Sequence, residues 1–287
     1  MNYDTRHNTR QITRQAVTAD DGRALPITTF EPEGQARGVV LVVPAMATPS
    51  SYYAAFATHL AERGWRTVTF DYRGTMSRAE MKAETADVDR WFADVRAVLE
   101  AVADDAGGLP VTWVGHSLGG QMVPFVEHNR LASVITVSAG DGYWRRNQPG
   151  VRWIAPLIWT AIAPAAIRVA GYYPGDRLRM IGDLPGGAMR QWARWCLHPE
   201  YLQADHPEAP ALFAEVKAPM MSLSFTDDEL MSAESVKHLH DWYSSADIVR
   251  QRFSPEQLDG RRMGHHGFFR QANADLWDEL VEPWLAG

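Results

Sequence analysis

Gly115-His116-Ser117-Leu118-Gly119-Gly120 is the stretch on which the fold turns. It follows an apolar, β-rich run, Val111-Thr112-Trp113-Val114, and it precedes residues 121–127, which read as a helix. A G-x-S-x-G pattern between strand and helix has a steric meaning: the serine occupies a sharp, strained turn, and the flanking glycines let neighbouring backbone come close. Such a turn lifts the Ser117 hydroxyl clear of the sheet edge and aims a helix N-terminus at developing negative charge.

Working outward, a serine hydroxyl is a poor nucleophile at neutral pH and needs a base, and the base needs an orienting acid. The chain supplies both downstream, in the order Ser, Asp, His. Thr226-Asp227-Asp228-Glu229 follows the apolar run 220–225, and Gly264-His265-His266-Gly267 precedes the last apolar-periodic stretch. The roles that follow are Ser117 as nucleophile, His265 as general acid and base, and Asp228 as its orienter. Asp227 and His266 stand beside them as alternatives, and Asp141, just past another strand end, is a further acid. His116, next to the nucleophile, reads as a packing residue.

Further out, strands alternate with helices. Residues 15–19 and 24–30 flank the hairpin signal Asp21-Gly22. Gly38-Val39-Val40-Leu41-Val42-Val43 is a continuous apolar run of the kind buried on both faces of a parallel sheet. A helix opens at Pro49-Ser50-Ser51 with Tyr52, Tyr53, Phe56 and Leu60 on one stripe, and 67–70 is the next strand. Val88, Trp91, Phe92, Val95, Val98, Leu99 and Val102 carry a helical period behind Asp87. Strands follow at 110–114, 131–137 and 220–225, and Leu276, Trp277, Leu280, Val281, Trp284 and Leu285 mark a C-terminal amphipathic helix. The pattern predicts an α/β fold, a mostly parallel sheet with helices on both faces. Residues 141–216, rich in Trp, Pro and Arg, break the rhythm and are too long for a simple connection. They read as a cap inserted into a core made of 1–140 and 217–287.

These motifs resemble the α/β-hydrolase superfamily over nearly the whole length: Gly38 to Pro44, Asp71-Tyr72-Arg73-Gly74, the Ser117 turn, the Asp228 loop and the His265 loop. Within it the chain is similar to a bacterial group of predicted serine hydrolases of poorly defined function. The shared features are Gly142-Tyr143-Trp144-Arg145, Trp192-Ala193-Arg194-Trp195-Cys196, Ser224-Phe225-Thr226-Asp227-Asp228 and Gly264-His265-His266-Gly267-Phe268-Phe269-Arg270. The resemblance implies an oxyanion hole made by the backbone N–H groups of Leu118 and Met46. The family's usual His-Gly at the start of the second loop is replaced by Pro44-Ala45-Met46-Ala47, and no H-G-G-G motif is present. An ester-cleaving serine hydrolase acting through an acyl-enzyme is the expected activity, with thioesters and amides open to the same chemistry. An acyltransferase or tailoring enzyme using the same triad, or a non-catalytic binding protein on the same scaffold, are the competing readings.

Composition narrows the partners. The 287 residues hold 28 Lys and Arg against 35 Asp and Glu, a net charge of −7, which argues against a nucleic-acid partner. The single cysteine, Cys196, excludes an internal disulfide framework and multi-cysteine metal sites and reads as buried packing. No metal site is expected, since His238 and His240 lie two apart on a helical stretch and face different ways. No nucleotide-binding glycine motif occurs, so no cofactor is expected. Residues 1–15 are polar and carry no apolar core of a signal peptide, which makes a cytoplasmic location the expectation. The apolar stretch 153–167 contains Pro156 and Pro164 and is too short to span a bilayer. The expected partner is a small-molecule substrate with an apolar acyl or aromatic group, for which Trp144, Trp153 and Trp159 are candidate contacts. The oligomeric state is not legible.

Overall fold

The computed structural model describes residues 12–285; most of the polar stretch 1–15 lies outside the described residues. The strands are β1 (Ile12–Thr18), β2 (Ala24–Phe30), β3 (Gly38–Val43), β4 (Trp65–Phe70), β5 (Val111–His116), β6 (Ser133–Val137), β7 (Met220–Phe225) and β8 (Ile248–Phe253). They form one eight-stranded sheet in the order β1-β2-β4-β3-β5-β6-β7-β8. The pairs β1–β2 and β2–β4 are antiparallel, and β4–β3, β3–β5, β5–β6, β6–β7 and β7–β8 are parallel.

The apolar runs bury both faces, as period-two geometry requires. From β3, Val39, Leu41 and Val43 enter one core with the helix Val88–Asp105, whereas Val40 and Val42 enter the other with Tyr53, Phe56, Leu60 and Trp277. Asp87 caps the helix Val88–Asp105 by accepting from Arg90 N–H. Gln191 Oε1 accepts the N–H groups of Val88 and Asp89 at 2.7 and 3.2 Å, which ties the β6–β7 connection to that helix end. That connection holds helices including Pro149–Arg152, Ala163–Ala170, Gly186–Leu197 and Ala209–Glu215. It shares the first core through Trp159, Ile167, Trp195, Tyr201 and Phe213.

Three elements depart from the sequence expectations. No α-helix follows the Ser117 turn; three short 3₁₀ turns, Ser117–Gly120, Val123–Phe125 and His128–Arg130, take its place. Pro124 has no N–H to give Gly120 O, and Tyr243 Oη–H serves that carbonyl instead at 3.2 Å. Trp113 Nε1–H occupies Gly119 O at 3.0 Å, so a second carbonyl that a helix would use is also taken. The strand β8 had no counterpart in the sequence pattern. It is the sheet edge, half-exposed, and carries Arg250 and Arg252 in place of an apolar run. The C-terminal helix is two pieces, Ala274–Leu280 and Glu282–Leu285, broken ahead of Pro283.

Candidate active site

Ser117 sits at the C-terminal end of β5 with φ 51°, in the left-handed region that a side chain enters only under constraint. The glycines around it show what imposes the constraint. A Cβ on Gly119 would stand 2.1 Å from Val43 O, one on Gly115 would stand 2.5 Å from Gly119 O, and one on Gly120 would stand 2.6 Å from Ala139 Cβ. The turn is thus pressed between β3 and β6, and Ser117 is left only 9% exposed.

The loop after β7 faces the loop that carries His265. Asp228 Oδ2 and Oδ1 lie 3.0 and 3.1 Å from His265 Nδ1, with both side chains buried. Asp228 Oδ1 also accepts the N–H groups of Leu230 and Met231, at 2.8 and 2.9 Å. Burial raises the Asp228 pKa, but the His265 hydrogen bond and those two N–H groups outweigh it and hold the carboxyl below its usual range. An ionised Asp228 only accepts, so the proton sits on His265 Nδ1 and the Nε2 lone pair is free to take a proton. Asp227 and Glu229 do a different job. Asp227 Oδ2 accepts Gly264 N–H at 3.2 Å, and Glu229 Oε2 accepts His265 N–H at 3.0 Å, so both hold the backbone of the loop. The pairing therefore brings Asp228, and not Asp227, to the His265 ring. It does not include His266, whose Nε2 lies 3.4 Å from Thr48 Oγ1 and whose pKa falls to about 4 through burial and the neighbouring His265. Asp141 pairs with Arg146 and His238, away from His265; burial pushes it up to about 7. No hydrogen bond joins Ser117 Oγ to His265 among the described residues, although the His265 ring lies 5.4 Å from that of His116, the residue before the nucleophile.

The loop after β3 abuts this turn. Val43 pairs with Gly115 in the sheet, and Met46 and Leu118 each lie three residues beyond that pair. Met46 N–H has no acceptor among the described residues, and Leu118 is in the first turn of a short 3₁₀ element, where N–H groups have no partner within it. Two tyrosines that the sequence reading did not assign to the site hold the loop. Tyr72 Oη–H donates to Pro44 O at 2.8 Å, and Tyr53 Oη accepts Ala45 N–H at 2.9 Å. Tyr53 Oη also lies 2.8 Å from His116 Nδ1, and His116 Nε2 lies 2.9 Å from His265 O. A carbonyl can only accept, so His116 carries its proton on Nε2 and takes the Tyr53 O–H on Nδ1. Burial, with His265 and His266 beside it, pushes the His116 pKa well below 6.5 and keeps the ring neutral. His116 is thus buried as expected, but it also bridges the β3 loop and the His265 loop. Ala47 completes the turn at φ 58°.

The Asp71-Tyr72-Arg73-Gly74 motif supports the same loop from behind. Asp71 accepts Ser50 N–H at 2.7 Å and Ser50 O–H at 2.6 Å at the start of the segment that carries Tyr53. Arg73 grips the buried Asp94 with Nε at 2.6 Å and Nη2 at 2.5 Å. A cavity of about 380 Å³ opens beside the loop, with Ala47, Thr48, Tyr72, Met81 and the Arg78–Asp183 pair among its walls. The three tryptophans chosen from sequence are dispersed. Trp159 is buried against Trp192, with ring centroids 4.9 Å apart, Trp144 is half-buried under Arg145, and Trp153 is 76% exposed. Among the described residues no hydrogen bond or ring contact joins them to Ser117, Asp228 or His265.

Comparison with known proteins adds to this geometry. A family model described as serine aminopeptidase, S33, matches residues 34–167, a span that includes Ser117 and ends before Asp228 and His265. A soluble variant of monoglyceride lipase from Saccharomyces cerevisiae, in complex with a substrate analog, is similar with a TM-score of 0.69 at 16% identity, over 99% of this chain and 97% of that one. An esterase from Pyrococcus furiosus gives a TM-score of 0.62 at 13% identity, over 99% and 96%. A thioesterase domain from the curacin biosynthetic pathway gives 0.57 at 15%, over 94% and 99%. Identities this low carry the fold and nothing finer.

Proposed function

We propose that this chain, an α/β-hydrolase by fold, is a serine hydrolase that cleaves a carboxylic ester through an acyl-enzyme. The observation that carries the reading is the buried Asp228–His265 pair facing the edge where Ser117 is held at a positive φ. In the proposed reaction Ser117 Oγ bonds to the ester carbonyl carbon while its proton passes to His265 Nε2. The carbonyl oxygen gains the negative charge and is met by the N–H groups of Met46 and Leu118. Collapse of the tetrahedral intermediate breaks the bond to the alkoxide, which takes the proton from His265. Water, deprotonated by the same nitrogen, then attacks the acyl carbon and releases Ser117. Asp228 stays ionised throughout and offsets the charge on the imidazolium.

Residues 141–216 act in this reading as a cap over the edge, and the cavity beside the β3 loop receives the part of the substrate on the oxyanion side. The names of the relatives support ester and thioester cleavage, and the family description keeps amides within the same reading. A chain-length series of p-nitrophenyl esters, assayed with wild type and Ser117→Ala, tests the proposal. Turnover that drops by at least about 10⁴-fold in the variant supports it. Undiminished turnover in Ser117→Ala contradicts it.

A further inference from the structure

The connection between β6 and β7 contains a run, 153–169, that is apolar on both sides. Its inner face is ordinary: Ala155, Ile158, Trp159, Ala163 and Ile167 are buried in the first core. Its outer face is not, because Trp153, Leu157, Ala161, Ala165 and Val169 recur every four residues and are all exposed. Trp153 is 76% exposed, Leu157 55% and Val169 89%. An α-helix drifts by roughly 40° over four residues, so a stripe at that spacing should spiral away. Here a π-helical turn, Ile158–Ile162, lies in the middle of the run and rotates the phase back. From Leu157 to Val169, a length of about 18 Å, the exposed residues therefore stay apart from the buried ones. Between 153 and 169 only Thr160 and Arg168 are polar, and an outward face this apolar suits a partner surface or lipid.

Charge identifies the occupant. Between Asp141 and Asp176 the chain has Arg145, Arg146, Arg152 and Arg168 and no acidic residue, in a protein whose net charge is −7. Arg152 stacks over Trp153 at 5.1 Å. A groove of about 260 Å³ runs beside the stripe, floored by Ile167, Met189 and Leu197 and rimmed by Arg190 and Arg194; both arginines are exposed, and Arg194 is paired to Asp205. No helix among the described residues is long and apolar enough to cross a membrane. We infer that this face docks peripherally on an anionic phospholipid surface. Trp153, Leu157 and Val169 enter the interface while Arg152, Arg168 and Arg190 meet headgroup phosphates.

Sedimentation with vesicles tests this on the full chain. Vesicles of phosphatidylcholine alone are compared with vesicles holding about one third phosphatidylglycerol, at salt of about 0.1 M and about 1 M. The expected result is pelleting with the anionic vesicles, weaker with the zwitterionic ones and reduced at high salt. Leu157→Gln with Val169→Gln should weaken the partition at least about tenfold, and Arg152→Gln with Arg168→Gln should remove the preference for anionic lipid. Both variants are expected to keep wild-type circular dichroism and wild-type turnover of a short, water-soluble ester. Wild type that stays in the supernatant with both compositions overturns the inference. So does a wild-type dimer, monomeric in Leu157→Gln with Val169→Gln, that ignores vesicles, since the stripe would then be an interface between copies of this chain.

Discussion

Two loops meet at the carboxyl edge of the sheet, and they are held by opposite means. The Ser117 turn is held by backbone: three glycines admit Val43 O, Gly119 O and Ala139 into space that a side chain would fill. The Pro44–Ala47 loop, which the comparison with Ser117 places equally far along its own strand, is held by side chains that reach it from elsewhere, Tyr53 and Tyr72. The first kind of loop tolerates almost no substitution and announces itself in sequence, because only glycine meets the steric demand. The second kind can change its residues freely as long as the distant hydroxyls remain. This explains how the chain dispenses with His-Gly at the start of the loop and still leaves Met46 N–H without an acceptor among the described residues.

The contrast can be broken or sharpened by mutation, and the largest effect belongs to the glycine-built loop. Gly119→Ala places a Cβ 2.1 Å from Val43 O and 2.9 Å from Pro44 O, where no flexible side chain can give way. The expected loss is upward of about 4 kcal/mol, read as a collapse of the urea midpoint or of soluble yield. A stability near wild type would show that the turn has slack after all. Next comes the acid, where the same division between side-chain and backbone support applies. Asp228→Asn removes the partner of His265 Nδ1 and should lower kcat by about 10³- to 10⁴-fold. Asp227→Asn only loosens the bond to Gly264 N–H and should stay within about tenfold of wild type. Equal effects from the two would erase the distinction between ring and backbone support.

Tyr53→Phe tests the side-chain clamp directly. It leaves Ala45 N–H and His116 Nδ1 buried without partners, which costs about 1–3 kcal/mol of stability. If the clamp sets the oxyanion donor, kcat falls about tenfold while KM holds, because the donor acts only on the developing charge. A drop in stability with no change in kcat would reduce Tyr53 to a packing residue. Acid should act on the same clamp. Folded His116 stays neutral, held well below 6.5 by burial and by His265 and His266, whereas the unfolded chain takes up that proton near 6.5. The unfolded state then binds more protons, so the stability present above that pH is lost as the pH falls below it, at up to about 1.4 kcal/mol per pH unit. His116→Gln should flatten that slope by one proton in pH-dependent urea titrations; an unchanged slope would assign the acid sensitivity elsewhere. The smallest effect is expected at Ala47, whose φ is 58°. Ala47→Gly relieves left-handed strain but adds freedom to the unfolded chain, and the midpoint should move by less than about 1 kcal/mol.

Legibility in the sequence followed the same line. The strands β3, β5, β6 and β7 were readable because burial on both faces forces an apolar run, and the Ser117 turn because sterics force glycine. The sequence reading took Asp228 as the acid and kept Asp227 beside it, since the two neighbours differ only in which way the chain points them. The helix expected over 121–127 failed on Pro124 and on the partners that Gly119 O and Gly120 O find in Trp113 and Tyr243, and Tyr243 lies far along the chain. β8 stayed hidden because an edge strand with one half-exposed face has no reason to be apolar. Tyr53 lies on an amphipathic stretch and Tyr72 in the Asp71–Gly74 motif just past β4, where neither sequence context points its hydroxyl at the β3 loop. Their hydroxyls become part of the site only when the fold brings Pro44 and Ala45 to them. Trp153 runs the other way: a tryptophan chosen from sequence as a candidate substrate contact is 76% exposed.

The central claim, that Ser117 is a nucleophile activated by His265, is tested most directly by fluorophosphonate labelling of the purified protein with the modified peptide located by mass spectrometry. The account predicts a single adduct on Ser117, absent in Ser117→Ala and strongly slowed in His265→Ala. A folded wild type that does not label, or an adduct that persists in Ser117→Ala, would contradict it.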